Sequence, residues 1–500
     1  MMDNGFDENE HCLIKKQIIS ERSMMEELEE GHFTLTDPLV KLDPYGTSPL
    51  AAVILFKTDT QTSITLTVRG KKRAGDITHT FPSGKTHVLP VLGLYPDFEN
   101  TVVIKAYQGE VSTVKILTKP LQGVLPELVH IKATPEHLKS DLIIVSPPSD
   151  GFVAGFDYMG EIRWYLSVSM RIAIKRVKNG RLLIGTEKLI APPYFMSGLY
   201  EIDMVGKVYT EYDISGGYHH DQFEMPNGDI LVLTEDLNRG TVEDMLVLVD
   251  RESGEIKKTW DFKNFITPGD GRSGHYTEED WFHNNAVWYD ENTDSILLSG
   301  RHIDAIVNID FESGKLNWIL GDPETWPEQY KKYFFTPVGD NFRWQYAQHS
   351  CLLTPCGDVM CFDNGTLGSK IKAEYVSNKD NYSRGVRYRI NTESMTIEQV
   401  WEFGKELGRE FFSQHVSNVE YYGEGNYLLH SGGQQFVNET PSEAIIPFST
   451  SDAANRCESI TIEVFNNEIV LELRVKRNYY RATKLPLYYS GENLTLDEAW

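Results

Sequence analysis

Hydrophobic and polar positions along the chain fall into three successive patterns. Residues 1–31 are polar and helix-prone, as in "KKQIISERSMMEELEE", and predict an arm or a helix that contacts a partner. Over 32–120 the pattern turns to alternation, in "AAVILFKTDTQTSITLTVRG" and "ENTVVIKAYQGEVSTVKILT", with Gly, Pro and Asp between the runs. Alternation with such punctuation predicts short strands, and a segment of this size predicts a small β-sandwich.

Beyond Pro120 the pattern repeats. One kind of hairpin carries an Asp–x–x–(Ser/Met)–Gly type of turn followed by an apolar strand: "FDYMGEIRWY", "IDMVGKVYTEY", "VDRESGEIKKTW" and "IDFESGKLNWIL", with degenerate copies "INTESMTIEQVW" and "VFNNEIVLELRV". A second kind lies between them: "IKRVKNGRLLIG", "DQFEMPNGDILVL", "NNAVWYDENTDSILLSG", "CLLTPCGDVMCF" and "VSNVEYYGEGNYLLHSG", preceded by a poorer copy, "IIVSPPSDGFVAGF". Two antiparallel hairpins per unit and six units predict an all-β fold, a six-bladed β-propeller over 121–482. Two packed sandwiches would not explain the regular return of one turn. The remaining residues, 483–500, read as an acidic tail.

The repeat gives meaning to the histidines. His349 stands seven residues before the turn of its hairpin, and His220, His283 and His415 stand at the matching place in theirs, at spacings of 63, 66 and 66 residues. In an antiparallel hairpin the start of the first strand and the end of the second share a rim. Arg301 therefore belongs beside His283, and Asp363 and Asn364 belong near His349. The first strands of propeller blades line the channel, so these groups converge on one axis. A single buried histidine is usually a core residue. Four on one rim with an arginine are hard to explain as packing.

Such a cluster suits a tetrahedral oxyanion. Arg301 offers a planar fork for two anionic oxygens, a neutral imidazole is a competent nucleophile toward sulfur or phosphorus, and other imidazoles can protonate a leaving oxygen. Two other classes stay open: an iron site built from four imidazoles on the axis, and a propeller that binds a partner without catalysis.

Composition narrows the field. With 48 basic and 73 acidic residues the formal charge is −25, which disfavours nucleic acid as a partner. No apolar run approaches the roughly 18 residues of a membrane helix, and the start lacks the basic-then-apolar order of a signal peptide. Five cysteines fit neither a zinc knuckle nor a disulfide framework, so reduced thiols in a cytoplasm are the simplest account. Residues 1–30 and the tail "GENLTLDEAW" are the segments available to a second chain in a homodimer.

At the histidines the chain closely resembles the bacterial aryl-sulfate sulfotransferases, which do not use PAPS. The matching phrases include "DPYGTSPLAAVILFKTD", "PVLGLYPDFENTV", "HHD…MPNGDILVLTED", "DWFHNNAVWYDENTDSILLSGRHIDAIVNIDFESGKLNWILGDPETW", "QHSCLL…FDNG" and "SRGVRYRINTESMTIEQVWEFGKELGREFF". The resemblance implies a small β-sandwich followed by a six-bladed propeller, no cofactor and no metal. It also implies ping-pong transfer of a sulfuryl group from an aryl sulfate donor to a phenolic acceptor through a sulfohistidine. Residue by residue it implies His349 as nucleophile and His283 and Arg301 as stabilisers of the transferring group. A further histidine comes from the His219–His220 pair, of which the repeat register selects His220, and Asn285 is a substrate contact. His415 stands where a smaller hydroxyl residue is expected. Tyr218, Trp281, Phe282, Tyr346 and Phe412 lie near the rim and suit a flat aromatic ring. Cysteines that are disulfide-bonded in some relatives are absent between Trp318 and Gln348, which again points to a cytoplasmic version.

Overall fold

The structure, a computed structural model, describes residues 12–192, 194–444 and 455–489. Residues 1–11 of the arm and 490–500 of the tail lie outside the described residues. Within the arm, Cys12–Glu30 form a 19-residue helix that buries Gln17, Met24 and Leu28. Its buried face meets the rest of the same chain. The Gln17 amide donates to the carbonyls of Tyr45 (3.2 Å) and Gly206 (2.9 Å), and its oxygen accepts from the Val208 N–H at 2.8 Å.

The alternating segment forms one five-stranded antiparallel sheet: Leu39–Leu42, Ala52–Val68, Ile77–Val91, Glu99–Ala106 and Val111–Leu117. The long strand Ala52–Val68 pairs with Leu39–Leu42 along its first half and with Glu99–Ala106 along its second, and its register breaks between Lys57 and Thr62. Ile64, Leu66 and Val68 are buried while the residues between them are half-exposed. That one-sided burial is why the sequence alternates there.

Six further sheets follow, antiparallel except where Thr336–Val338 lies parallel along Thr396–Phe403 at the edge of the fifth. In four of them the main strands run in chain order, although in the second Leu189–Ala191 adds to Phe195–Ile202 out of that order. The second begins with Arg171–Arg176, the third runs from Gln222–Glu224 to Ile256–Asp261, the fourth from Asn284–Asp290 to Leu316–Gly321, and the fifth from His349–Leu353 to Thr396–Phe403. The sixth, from Asn418–Gly423 to Glu468–Lys476, gains Leu128–Lys132 at its outer edge. The first sheet takes its leading strand, Arg481–Pro486, from the far end of the chain and pairs it with Asp141–Ser146. First strands run side by side from sheet to sheet, and Arg481–Pro486 touches both Arg171–Arg176 and Asn418–Gly423.

Two expectations change here. "IIVSPPSDGFVAGF" makes the second and third strands of its sheet, not the first and second, because the leading strand arrives from residues 481–486. Its poor match to the other copies follows from that. The same strand extends past residue 483, where the tail was expected to begin.

The recurring turn has a local cause. Asp250 and Asp310 each accept, through one carboxylate oxygen, the N–H and hydroxyl of Ser253 and Ser313. Gly254 and Gly314 follow with φ of +73° and +65°, where a side chain would be strained. Asp157 and Asp203 each accept two backbone N–H groups in the same way.

Candidate active site

The histidines gather where the first strands of the third to fifth sheets begin. Arg301 follows the strand Ser295–Gly300, and its N–H donates to the His283 carbonyl at 3.1 Å, so hairpin pairing alone sets these two residues together. His349 opens its strand and faces Phe362 across the pair, one residue before Asp363. Ring centroids lie 5.0 Å apart for His220 and His283, 6.4 Å for His283 and His349, and 4.5 Å for the stacked His283 and His302. His220 and His283 both hold left-handed backbone, φ 56° and 53°. Such strain costs a non-glycine residue about 1–2 kcal/mol and persists only where the surroundings enforce it.

Hydrogen bonds assign the proton on each ring. His349 Nδ1 lies 2.8 Å from Asn364 Oδ1 and 3.2 Å from the Ala347 carbonyl. Asn364 cannot be turned round, because its Nδ2 already donates to the carbonyls of Ser413 (2.8 Å) and Val416 (3.2 Å). Both neighbours of Nδ1 accept, so Nδ1 carries the hydrogen and Nε2 keeps its lone pair. Burial, then the charges of Arg301 and His283, hold the His349 pKa well below the ordinary value and the ring neutral.

His220 is also neutral. His219 Nε2 donates to the Thr234 carbonyl at 3.2 Å, which leaves His219 Nδ1 as an acceptor. His220 Nδ1, 2.8 Å away, must be the donor, and its Nε2 is bare. Burial and the neighbouring His219 and His283 keep its pKa well below normal.

His283 differs. Its Nδ1 lies 2.6 Å from Asp280 Oδ2 and 2.8 Å from Glu243 Oε2. Burial opposes a charge there, but the two carboxylates overcome it and push the pKa up to about 10. Asp280 is correspondingly held low: burial works against its charge, and His283, then His302 and Arg301, outweigh it. Tyr194 donates to the other Glu243 oxygen at 2.7 Å.

Arg301 is buried. Nη1 donates to His302 Nε2 at 2.9 Å and Nη2 reaches the Gln414 carbonyl at 3.4 Å, whereas Nε has no partner. Accepting from Arg301 while its Nδ1 donates to the Asp280 carbonyl (2.6 Å) fixes His302 as neutral. Burial, then His283, brings its pKa down to about 3. The site thus holds two cations and a set of neutral imidazoles, one with a bare Nε2 beside each cation. It is built to receive an anion at a nucleophilic nitrogen.

Two sequence profiles match this chain: the arylsulfotransferase (ASST) profile over residues 127–485 and the arylsulfotransferase Ig-like domain over 39–119. The chain belongs to the arylsulfotransferase family. It is an enzyme of sulfuryl transfer. Arylsulfate sulfotransferase AssT of Escherichia coli O6:H1 is 23% identical over 559 aligned residues, covering 89% of this chain and 92% of that protein. AssT of Lelliottia amnigena is also 23% identical, with the same coverage of both chains. An overlay on a solved protein of unknown function from Bacteroides caccae gives a TM-score of only 0.33, at 12% identity over 70% of this chain and 96% of that one.

In this arylsulfotransferase the residues named from sequence separate into groups. His220, His283, His349 and Arg301 come together. His219 lies behind His220, fully buried. The Asn285 amide is spent on backbone, donating to the Gln348 carbonyl (2.8 Å) and accepting from the Ser350 N–H (3.3 Å), so it braces the segment that carries His349. His415 is half-buried near Arg301 with its Nδ1 enclosed and unpartnered, and burial and that charge bring its pKa to about 3. Of the rim aromatics, Tyr218 bonds Gln222, Trp281 bonds Asp244 and Tyr346 bonds Asp322, while Phe282 and Phe412 are buried. The tyrosines beside His220 are instead Tyr194 and Tyr480, at 5.0 and 5.8 Å between centroids.

Sequence reasoning missed Glu243, Asp280, His302 and Arg481. Asp280 and His302 stood inside quoted phrases, "DWFH" and "GRH", three residues before His283 and one after Arg301. Glu243 and Arg481 come from other parts of the chain and left no local signal. Arg481 donates to the carbonyls of Ser417 (2.5 Å) and Asn285 (2.9 Å), joining strands from two sheets. Two sets of donor atoms fall within 4.8 Å of one another, His219–His220–Glu243 and Asp280–His283–His302. Neither includes His349 or His415. The four-imidazole cage expected of an axial iron site does not form among the described residues.

Proposed function

We propose that this enzyme moves a sulfuryl group from an aryl sulfate ester to a phenol in two steps through His349, on the axis of a six-bladed β-propeller whose blades are the six sheets. In the first step His349 Nε2 attacks sulfur, the S–O bond to the aryl group breaks, and a phenolate leaves. The product is an imidazolium N-sulfonate whose Nδ1–H still donates to Asn364. In the second step an acceptor phenol gives its proton to His220 Nε2 and attacks sulfur, the N–S bond breaks, His349 returns neutral, and His220 releases the proton to solvent, where it balances the phenolate set free in the first step. Arg301 and His283 face the charge that spreads over the sulfuryl oxygens in a loose transition state like that of phosphoryl transfer.

The observation that carries this reading is the bare Nε2 of His349, fixed by Asn364 and the Ala347 carbonyl and set beside two cations. Free thiols at all five cysteines suit a reducing compartment such as the cytoplasm. Incubation with a chromogenic aryl sulfate alone tests the two-step scheme. The expected result is one equivalent of phenol released and an enzyme heavier by one SO3. Release that waits for an acceptor would overturn it.

A further inference from the structure

We infer that Asp280 and Glu243 are positioning residues for sulfuryl transfer, acting together on Nδ1 of His283 to keep that ring an imidazolium with its Nε2–H free for the transferring group. The inference rests on the proposed sulfuryl chemistry and adds what makes His283 a lasting cation.

The geometry supplies two carboxylates. One would fix the ring's orientation, as the carboxamide of Asn364 fixes His349. Here Asp280 takes the proton at 2.6 Å, and Glu243 adds a second negative oxygen 2.8 Å from the same nitrogen. The two carboxylates come from different places, Asp280 from the loop before the fourth sheet and Glu243 from the strand connection of the third. Each has its own support. Tyr194 holds the far oxygen of Glu243, and the Asp280 carbonyl holds His302.

Of the remaining neighbours, Arg301 opposes a charge on His283 and the imidazoles are neutral. From the third sheet come His219 and His220, and from the fifth His349. Arg301 and His302 come from the turn Arg301–Ile303, with His275 stacked on His302 at 6.2 Å. Glu235, which accepts from the Glu243 N–H at 3.4 Å, has its pKa raised to about 8 by burial and by Glu243, so it is neutral at pH 6 and adds a negative charge at pH 9. Against Arg301 and burial, the two carboxylates together push the His283 pKa up to about 10, so at neutral pH His283 contributes charge at every stage without exchanging a proton.

Nitrogen-15 NMR of histidine-labelled enzyme tests this directly, with the His283 signal assigned from its loss in His283→Gln. The wild-type signal is expected to be that of an imidazolium up to a midpoint near pH 10. A midpoint at or below about 6.5, the free value, overturns the inference without any variant. In Asp280→Asn and in Glu243→Gln the midpoint should fall by about one to three pH units. Turnover of a phenyl sulfate should fall at pH 9 by about twofold for a one-unit drop and by about tenfold for a two-unit drop, and far less at pH 6. A loss equal at all pH values would mark the carboxylates as merely structural. Absence of a sulfated intermediate in wild type would defeat the two-step scheme and leave the NMR result to decide the clamp by itself.

Discussion

His283 and His349 occupy matching rims of neighbouring sheets, 66 residues apart in sequence and 6.4 Å apart between ring centres. His349 is buried and His283 is 13% exposed, and each has Nδ1 turned to an oxygen within 2.8 Å. Their charges are opposite because the oxygens differ. A carboxamide and a carbonyl accept a hydrogen without adding charge, so burial and the nearby cations keep His349 neutral. Two carboxylates reverse that balance at His283. The residue type sets what is possible, and the partner on the far nitrogen decides which role is taken.

The sharpest break in this comparison is removal of the neutral member. His349→Asn keeps a polar group in the space but has no basic nitrogen. Both donor-only phenol release and the mass increase of one SO3 are expected to vanish, as read by intact-mass spectrometry. An adduct that survives and maps to another peptide would mean that a different histidine attacks. Arg301→Lys comes next. It keeps the positive charge yet loses the planar group whose Nη1 orients His302 and whose Nε is unpartnered. Preorganised donors of this kind are worth on the order of 3 kcal/mol, so kcat should fall roughly a hundredfold. Wild-type turnover in that variant would remove Arg301 from the reaction.

Asn364→Asp makes the two rims alike. A carboxylate at Oδ1 favours imidazolium at His349, which has no lone pair to attack with. Activity at neutral pH is expected to drop by about tenfold and to recover as pH rises, a sloping limb absent from wild type. The substitution also sets a carboxylate oxygen against the carbonyls of Ser413 and Val416, so a lower melting temperature accompanies it. A uniform loss across pH would mean that Asn364 only supports the backbone.

Much of this arrangement was legible in the sequence because hairpins are local. The Asp–x–x–Ser–Gly turn has its hydrogen bonds within four residues, so it could be read and counted, and the register of the hairpins between its copies set His220, His283 and His349 at matching places. The same logic set Arg301 beside His283 and Asn364 beside His349. What closes the first sheet is not local: Arg481–Pro486 pairs with residues more than 330 positions earlier, and a turn pattern does not reveal that. Proton states were also hidden. They depend on Glu243, two loops from His283, and on which face of Asn285 and Asn364 meets backbone. The register could favour His220 over His219, but not that His219 holds His220 in the tautomer with Nε2 bare.

The weakest test of the comparison concerns stability rather than rate. His219, His220, His275, His302, His349, His415 and His430 all have folded pKa values below normal, with burial the first cause in each. For such a group the unfolded chain binds the proton more readily. The stability it contributes is intact above about pH 6.5 and is lost as pH falls toward the folded value, about 3 for His302 and His415 and about 4 for His430. His283 has the opposite sign: its contribution is complete below about pH 6.5 and is lost as pH rises toward 10. Burial shifts His79 and His87 the same way, so one histidine acts against nine and the curve must be lopsided. Urea midpoints should fall steeply from pH 6.5 to 5, since each uncompensated proton adds up to about 1.4 kcal/mol per pH unit, and only gently from pH 7.5 to 9. His430, whose ring bonds Thr461 and the Tyr479 carbonyl away from the reacting groups, supplies the control. His430→Gln should flatten the acid limb by about one proton while leaving the sulfated intermediate in place. A midpoint independent of pH between 7 and 5 would mean that these rings are already charged in the folded protein, and the contrast between His283 and His349 would go with them.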